Sequence, residues 1–524
     1  MGGGSMQRSI VSGSQCLWAR LARRTGRRAT SARPRPIWQA CAPARSFHTR
    51  QSLADSSAQA ATARAPNKHE ASVVDALRDE ESGVLYTNIG DTPPRIVGSR
   101  GAYLYTADGR EILDATGGAA VVSIGHNHPR VKEAIMRQLD QVAYSWAPLF
   151  TTEAGEKLAK VLVDSTGGRM SKVFVVSSGT EAVEAALKIA RQYFLELPEK
   201  QPERTRFIAR RQSYHGNTLG SLSVGGHVAR KQIYNPILST NTSHVSPCYP
   251  YRGQKDGESD EAYVSRLAQE LDDEFQAVGP HTVCAFIAET VAGTTLGSVP
   301  ATPGYFKAVK EVCNRHGALF ILDEVMSGMG RTGTLHAWEQ EGVVPDLQTV
   351  AKGLGAGYAS VGALLINKRV VESLRHGTGI FSHSQTYQGH PVACAAAYEV
   401  QQVIQDEDLL QNAREMGAYL ENTLKQRLGD HKNVGNIRGR GLFWGVEFVS
   451  DKRTKQPFPA ERKVASLVSK TALVDHSLSL IPMSGMADGY SGDGVQIAPP
   501  YNITRSEIDT LVDRLEQVVR QVLG

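Results

Sequence analysis

Short apolar runs alternate with longer amphipathic runs between about residue 170 and residue 350. The apolar runs have the length and β-branched character of strands, and the runs between them have the 3.6-residue period of helices. The predicted strands are 173–176, 206–209, 283–288, 318–322 and 347–351. This alternation predicts the α/β class, with a mostly parallel sheet covered by helices on both faces.

Polar residues stand at the ends of three consecutive strands of this predicted sheet. Glu289 ends one strand, Asp323 and Glu324 follow the next, and Lys352 follows the one after that. In open α/β sheets, ligands bind in the crevice beyond the carboxyl ends of the strands. We therefore expect the lysine and the acids to face one crevice.

Lys352 and Asp323 together favour one cofactor. A lysine amine forms a Schiff base with the aldehyde of pyridoxal phosphate, and a carboxylate keeps the pyridine nitrogen protonated so that the ring accepts electrons. Either residue alone would more often be an ordinary turn or surface residue. As a pair they predict a pyridoxal-phosphate site in which the pKa of Lys352 lies well below that of a free lysine.

Two further motifs could bind a phosphate group and a flat ring. Ser178, Gly179 and Thr180 stand where a β-branched strand passes into an amphipathic helix, and the free amides of a helix N-terminus bind anions. The same three residues would also serve as a plain helix cap. Tyr214 and His215 follow the next strand, where an aromatic ring can lie on a planar cofactor.

A competing interpretation rests on residues 328–333, which match G-x-G-x-x-G after a strand. A dinucleotide fingerprint should open the helix of the first βαβ unit and be followed by an acid about 20 residues later. This motif lies late in the chain, and no clear helix follows it. A nicotinamide enzyme is therefore a minor alternative, as is a non-catalytic interaction protein.

The first 54 of the 524 residues differ from the rest in composition. They contain ten arginines and no acidic residue, and setting those ten charges aside changes the formal net charge from +5 to −5. A mildly acidic body gives no indication of nucleic-acid binding. The arginine-rich head predicts a mitochondrial transit peptide over 1–54, a linker over 55–79 and a location in the mitochondrial matrix.

Two other classes of protein find no support in the sequence. No apolar run approaches the roughly 18 residues of a membrane span. The six cysteines are scattered without a C-x-x-C pair, so neither a disulfide framework nor a metal site is predicted.

The ordered set of motifs resembles the class III (omega) aminotransferases of the pyridoxal-phosphate fold type I superfamily. The resemblance covers about residues 80–520 and rests on the motifs at 178–182, 214–216, 323–325, 330–333, 352–353 and 389–391. It implies a large cofactor-binding domain over 136–390 with a seven-stranded, mostly parallel sheet. A smaller α+β domain is expected from 80–135 together with 391–524.

The resemblance also implies a role for each motif residue. Lys352 would bind the cofactor and move the substrate proton, and Asp323 would bind the pyridine nitrogen. Val325 and Tyr214 would lie on opposite faces of the ring. The remaining predicted cofactor-binding residues are Ser178, Gly179, Thr180, His215, Glu289 and Thr386. Thr386 would come from a neighbouring subunit, so a homodimer with shared active sites is expected.

One departure from the family pattern bears on the substrate. Ornithine- and aminobutyrate-type members carry a carboxylate-binding arginine in the segment that here reads Gln496-Ile497-Ala498-Pro499-Pro500, and Met326 replaces their frequent glutamine. The chain is closer to the omega-amine and β-alanine:pyruvate group. We therefore expect a primary amine or omega-amino acid as donor and pyruvate or 2-oxoglutarate as acceptor, in a ping-pong reaction. Decarboxylation, racemisation and an aminomutase step remain alternatives, because they share Lys352 and Asp323.

Overall fold

The computed structural model describes residues 83–89 and 92–524. Residues 83–89 form only bends and a turn and belong to a separate unit from the remainder. The predicted transit peptide, 1–54, and the predicted linker, 55–79, lie outside the described residues. The fold below is that of residues 92–524.

The strands are β1 (Ile96–Arg100), β2 (Tyr103–Thr106), β3 (Glu111–Asp114), β4 (Met170–Val176), β5 (Arg206–Arg210), β6 (Thr242–Val245), β7 (Val283–Glu289), β8 (Val291–Ala292), β9 (Val299–Pro300), β10 (Leu319–Asp323), β11 (Leu347–Val350), β12 (Gly362–Asn367), β13 (Val434–Arg440), β14 (Phe443–Phe448), β15 (Leu478–Ser479), β16 (Ile481–Ser484) and β17 (Asp493–Ile497). The α-helices are α1 (Gly117–Ala120), α2 (Pro129–Gln141), α3 (Glu153–Asp164), α4 (Gly179–Glu196), α5 (Leu219–Val224), α6 (Val228–Lys231), α7 (Pro250–Gly253), α8 (Asp260–Val278), α9 (Tyr305–Arg315), α10 (Trp338–Glu341), α11 (Lys368–His376), α12 (Pro391–Asp406), α13 (Leu409–Leu428), α14 (Val464–Asp475) and α15 (Arg505–Leu523).

A seven-stranded sheet with the order β4-β12-β11-β10-β7-β5-β6 forms the centre of the fold. β10 runs parallel to β7 and β11, and β5 runs parallel to β6 and β7. Only β12 is antiparallel to its neighbours in this sheet. The predicted α/β class and mostly parallel sheet are therefore confirmed.

Both faces of the central sheet are buried. In β10, Phe320 and Leu322 pack into a core with α8 and α9, whereas Leu319 and Ile321 pack on the opposite face with α4 and α11. Successive side chains of a strand point to opposite faces, so a strand that is covered on both sides must be apolar throughout. The continuous apolar run at 318–322 is the sequence counterpart of this arrangement.

Smaller sheets are built from the two ends of the described chain. β13, β14, β17 and β16 form an antiparallel sheet near the C-terminus. The β2–β3 hairpin joins β1 on one side, and β3 pairs in parallel with β15 on the other. Thus the segment around residues 96–114 packs with chain that follows more than 360 positions later. The domain boundaries at 135/136 and 390/391 stay predictions.

Among the described residues, no helix has both the length and the hydropathy needed to cross a bilayer. The same part of the chain contains no group of three or more histidine, cysteine or acidic side chains placed to bind a metal ion.

Candidate active site

A cavity of about 480 Å³ lies beyond the carboxyl ends of β4, β7, β10 and β11. Nine of the ten predicted site residues line it: Ser178, Gly179, Thr180, Tyr214, His215, Glu289, Asp323, Val325 and Lys352. Their elements are separated in sequence but close together in the sheet. This is why the rule that ligands bind beyond the carboxyl ends of strands, here called the strand-end rule, predicted them as one site. The tenth, Thr386, does not line the cavity of its own chain.

Asp323 is held firmly at the end of β10. Its carboxylate is buried and receives hydrogen bonds from the Val325 amide (3.0 Å) and the Thr349 hydroxyl (3.1 Å) on one oxygen. The other oxygen lies 2.7 Å from Nδ1 of His215. These contacts fix the orientation of the carboxylate, and no lysine or arginine among the described residues forms an ion pair with it.

His215 contributes an unusual atom to the same site. Its ring is buried and Nδ1 contacts Asp323, but Nε2 has no hydrogen-bond partner within the described chain. Buried polar atoms in folded proteins are almost always paired, so an unpaired one at a cavity wall is typical of a site built to receive another group.

The Lys352 side chain presents a free amine to the cavity. It makes no hydrogen bond or ion pair with any described residue. Burial of the amine lowers its pKa to about 8, although the negative charges of Asp323 and Glu289 act in the opposite direction. This is the direction that the sequence analysis predicts for Lys352. Lys352 also has a φ of +46°, a strained conformation that is found mostly at functional positions.

Glu289 positions the backbone that carries Tyr214. One of its oxygens accepts from the Tyr214 amide (3.0 Å) and the other accepts from the Gly293 amide (2.8 Å). Burial raises the pKa of this carboxyl group. Glu289 therefore lies on the cavity as predicted, and its visible contacts are with the protein itself.

The N-terminus of α4 meets the cavity at Gly179. The Ser178 hydroxyl accepts from the Glu181 amide at 3.2 Å and so caps the helix. A Cβ atom on Gly179 would lie 2.7 Å from Cγ1 of Val325, so no larger residue fits there without rearrangement. The first amides of a helix have no acceptor within it. The cap and the anion seat, two interpretations of one motif, are therefore compatible.

These residues fit pyridoxal phosphate. The donor set combines an unpaired amine of lowered pKa, an oriented carboxylate, an unpaired buried imidazole nitrogen and an 18-residue helix that begins at the cavity wall. A cofactor with an aldehyde, a ring nitrogen and a phosphate requires this combination of groups.

Glu324, the second of the two adjacent acids, does not serve the cavity. Its side chain is fully buried and accepts four hydrogen bonds, from the Thr290 hydroxyl (2.8 Å), the amides of Ala337 (2.8 Å) and Trp338 (2.7 Å), and the Gln348 side chain (2.9 Å). Burial outweighs these donors and raises its pKa to about 7. Only Asp323 of the pair lines the cavity.

The glycine motif at 328–333 is a structural loop. The first regular helix after it is the four-residue α10, so no long helix presents its N-terminus to a pyrophosphate. Arg331 is fully buried and donates to the carbonyl oxygens of Leu442 (3.1 Å), Val122 (3.3 Å) and Pro499. The motif therefore ties distant segments together and carries no dinucleotide fingerprint.

The cavity has a second group of lining residues outside the sheet edge, here called the outer wall, which the sequence did not predict. Ala119, Val121, Arg230, Thr294 and Ile481 line it, and none of them follows a predicted strand of the central sheet. Met326, noted only as a departure from the family pattern, also lines the cavity, next to Val325 beyond the end of β10. The one available signal was the Gly117-Gly118 pair, whose positive φ values produce the turn that precedes Ala119 and Val121.

Thr386 is exposed in the single chain, and its backbone oxygen accepts a hydrogen bond from the Tyr144 hydroxyl (2.9 Å). Its predicted role in a neighbouring subunit stays a prediction.

Comparison with known proteins agrees with this geometry. The family model for aminotransferase class-III matches residues 86–519. A Gibberella zeae protein named aminotransferase is 51% identical over 441 residues, which cover 84% of this chain and 86% of the relative. An (S)-enantioselective omega-transaminase from Thermomicrobium roseum superposes with a TM-score of 0.80 at 34% identity, covering 88% of this chain and 100% of the other.

A third similar protein was solved with its cofactor. An amine transaminase from an uncultivated Pseudomonas species, in the pyridoxal-phosphate-bound form, superposes with a TM-score of 0.78 at 33% identity, covering 84% of this chain and 98% of the other. The family match over most of the chain confirms that the protein is an enzyme and rejects both the nicotinamide and the non-catalytic alternatives. The chain belongs to the class-III aminotransferases, pyridoxal-phosphate-dependent enzymes of fold type I.

Proposed function

We propose that the enzyme moves the amino group of a primary amine or omega-amino acid to a 2-oxo acid, pyruvate or 2-oxoglutarate, in the two half-reactions of a ping-pong cycle. The observation that carries this proposal is the unpaired amine of Lys352, with its pKa of about 8, on the same cavity as the oriented carboxylate of Asp323.

The residues of the sheet edge would hold the cofactor. Asp323, oriented by His215 and Thr349, would bind the ring nitrogen, and Lys352 would bind the aldehyde carbon. The α4 N-terminus at Ser178, Gly179 and Thr180 would bind the phosphate. Val325 and Tyr214 would pack against the ring. Pyridoxal phosphate, when bound, supplies the electron sink that makes a proton on the substrate carbon removable.

Lys352 is placed to move that proton. A general base works best when its pKa lies near the working pH, because it must be neutral to take a proton and basic enough to hold it. Burial brings the Lys352 amine to that range, whereas an ordinary lysine would stay protonated. In its neutral form Nζ would take the proton from the substrate carbon, and in its charged form it would return a proton to the cofactor side.

The nature of the cavity wall supports the proposed donor class. Val121, Met326 and Ile481 give part of the cavity lining an apolar character. Gln496, in the segment where ornithine- and aminobutyrate-type members carry a carboxylate-binding arginine, is buried in β17 and donates to the Ser298 hydroxyl at 2.9 Å. It therefore offers no clamp for a carboxylate on the reacting carbon.

The donor proposal is tested by spectroscopy on residues 55–524 loaded with pyridoxal phosphate. Alkylamines, β-alanine, ornithine and alanine are added one at a time without any 2-oxo acid. We expect the band of the lysine-bound cofactor to bleach with alkylamines and β-alanine and to return when pyruvate or 2-oxoglutarate is added. Turnover of ornithine or alanine at a far higher rate than of alkylamines and β-alanine would contradict the proposed donor class.

We also propose a homodimer with shared active sites. Trp146, Leu149, Phe150 and Tyr387 are large apolar or aromatic side chains exposed on the single chain, and Phe150 shares a surface hollow with Gln388 near Thr386. Extended exposure of such side chains is typical of an interface between subunits.

The dimer proposal predicts complementation between two inactive variants. Lys352→Ala and Thr386→Glu, each inactive alone, are expressed together. If Thr386 serves the partner's site, the hybrid contains one intact site and activity returns. If Thr386 serves its own chain, both sites of the hybrid stay defective and activity stays absent.

The mitochondrial location rests on the arginine-rich, acid-free composition of residues 1–54. A fluorescent reporter fused after residue 65 should enter the matrix, and the same fusion with the arginines at 20, 23, 24, 27 and 28 replaced by glutamine should not. A cytosolic signal from the first fusion would contradict the proposal.

A further inference from the structure

One cationic side chain on the cavity has no task in cofactor binding. Arg230, at the third position of α6, is the only arginine among the described residues that line the cavity, and Lys352 is the only lysine. Arginine binds carboxylates through two parallel hydrogen bonds, so an arginine that lines the cavity is a candidate to bind an anionic group of the substrate.

The guanidinium of Arg230 lies over the ring of Tyr214. Its Cζ atom is 5.1 Å from the ring centroid, a distance typical of a cation–π contact. Arg230 forms no ion pair with any described acid. The two acids of the cavity, Glu289 and Asp323, accept hydrogen bonds from their own surroundings instead. The positive charge of Arg230 is therefore available to a ligand.

The short helix that carries Arg230 is fastened to its surroundings. The Lys231 ammonium donates to the carbonyl oxygens of Ser223 (2.9 Å) and Gly225 (2.8 Å), which anchors α6 to the end of α5. On the other side, Val228 packs so closely against Gly489 that a Cβ atom there would lie 2.6 Å from its Cγ2 atom. Arg230 is thus held at the cavity by residues on both sides.

Arg230 and Lys352 lie at different depths. Arg230 is exposed to solvent, whereas Lys352 is half-buried at the end of β11. A substrate whose amine reaches Lys352 would therefore meet Arg230 at its far end. Apolar side chains, including those of Met326 and Ile481, line the same cavity.

We propose that Arg230 binds a substrate carboxylate that is separated from the reacting amine by a chain of methylene groups, which makes omega-amino acids the preferred donors. This inference rests on the proposed transamination and selects between the two donor classes left open above. Arg230 is a specificity-determining residue in this scheme. It takes no part in proton transfer.

The test compares donors that differ only in the carboxylate. β-Alanine is compared with ethylamine, and 4-aminobutyrate with propylamine, in the donor half-reaction without acceptor. Arg230→Gln should lower kcat/KM for the amino acids about 30-fold, the usual cost of losing a hydrogen bond to a charged group, and leave the alkylamines within about 2-fold. Arg230→Lys should recover part of the loss, because lysine keeps the charge but not the paired hydrogen bonds.

Arg505 provides the matched control. Its guanidinium lies over an aromatic ring, 4.8 Å from the centroid of Tyr419, and it is exposed, but it does not line the cavity. Arg505→Gln removes the same group from the same kind of contact, and it should leave the amino-acid-to-alkylamine ratio unchanged.

Calorimetry supplies a readout that does not depend on turnover. Propionate and butyrate, which carry the carboxylate but no amine, should bind the cofactor-loaded wild type and bind Arg230→Gln at least about 10-fold more weakly. Equal binding to both proteins, or an equal loss of alkylamine and amino-acid activity in Arg230→Gln, would overturn the role of Arg230. If wild type fails to react with any donor, the proposed function itself is wrong, so the two failures are distinguishable.

Discussion

The two walls of the active-site cavity are built in different ways. On the sheet-edge wall, Asp323, His215 and Glu289 are buried and joined to neighbouring groups by hydrogen bonds of 2.7–3.1 Å. On the outer wall, Val121, Arg230 and Ile481 are half-buried or exposed and come from elements outside the central sheet. The rigid wall is suited to chemistry that all donors share, and the other wall is suited to choosing among donors.

This contrast predicts that substitutions on the sheet-edge wall reduce the rate with every donor. Lys352→Ala should have the largest effect, a fall in kcat of about 10⁴-fold or more, because it removes both the attachment point and the proton carrier. The thermal midpoint of unfolding, measured in parallel, should show a folded protein. Residual activity that still differed strongly between donors would contradict the division of roles between the walls.

Asp323→Asn should reduce kcat/KM by about 10²–10³-fold for alkylamines and amino acids alike, since a neutral amide cannot stabilise a protonated ring nitrogen. Steady-state rates measure this loss of kcat/KM, and equilibrium dialysis measures the accompanying loss of affinity for the cofactor. A change confined to one donor class would show that Asp323 acts on substrate rather than on the cofactor.

A substitution on the outer wall should change preference instead of rate. Ile481→Ala enlarges the apolar side of the cavity and should shift the ratio of kcat/KM between a branched and a linear alkylamine by about 10-fold in favour of the branched donor. Cofactor affinity, measured by titration of the visible band, should not change. An equal fall for both donors would show that Ile481 supports the sheet edge.

Glu324→Gln should have the smallest effect on catalysis and thus sharpens the comparison with its neighbour Asp323. We expect kcat/KM within about 2-fold of wild type, but the free energy of unfolding should fall by about 1–3 kcal/mol at pH 7, because an amide leaves two of the four donors around it unpaired.

Wild type and Glu324→Gln should also differ in how their free energy of unfolding depends on pH. Burial raises the folded-state pKa of Glu324 from 4.5 to about 7, so between these values the folded protein binds more protons than the unfolded chain. The contribution of this residue to the free energy of unfolding therefore decreases as pH rises through that range. Denaturant titrations at pH 5 and pH 7 should show this decrease in wild type and not in Glu324→Gln. A parallel pH dependence in both proteins would contradict the raised pKa.

The sequence predicted the sheet-edge wall because a periodic signal marks it. Asp323, Lys352 and Glu289 each end or follow an apolar run. Because ligands bind beyond the carboxyl ends of strands, that position in the sequence predicts a place on the cavity. Five strands of the central sheet, β4, β5, β7, β10 and β11, followed from the same pattern. Adjacent residues are harder: Asp323 and Glu324 look alike in sequence, and only the packing of Thr290, Ala337 and Trp338 shows that Glu324 lies away from the cavity.

The outer wall could not be predicted, because its residues depend on long-range pairing. Ile481 reaches the cavity from β16, and Val121 reaches it from the turn after β3. Arg230 lies on a four-residue helix, which is too short to give a periodic signal. The sequence therefore indicated a substrate arginine only in the C-terminal family motif, and the corresponding segment, 495–500, contains none.

The pairing of β3 with β15 also has a consequence for the folding of the chain during its synthesis. β3 can pair with β15 only after residues 478 and 479 have been synthesised. In the same way, Arg331 can form its hydrogen bonds to the carbonyl oxygens of Leu442 and Pro499 only after those residues have been synthesised. Contacts of such long sequence separation form late and slowly. The strands of the central sheet are complete at Asn367, but Ile481 lines the cavity from β16, so a product truncated before β16 keeps Lys352 and Arg230 and lacks part of the cavity lining.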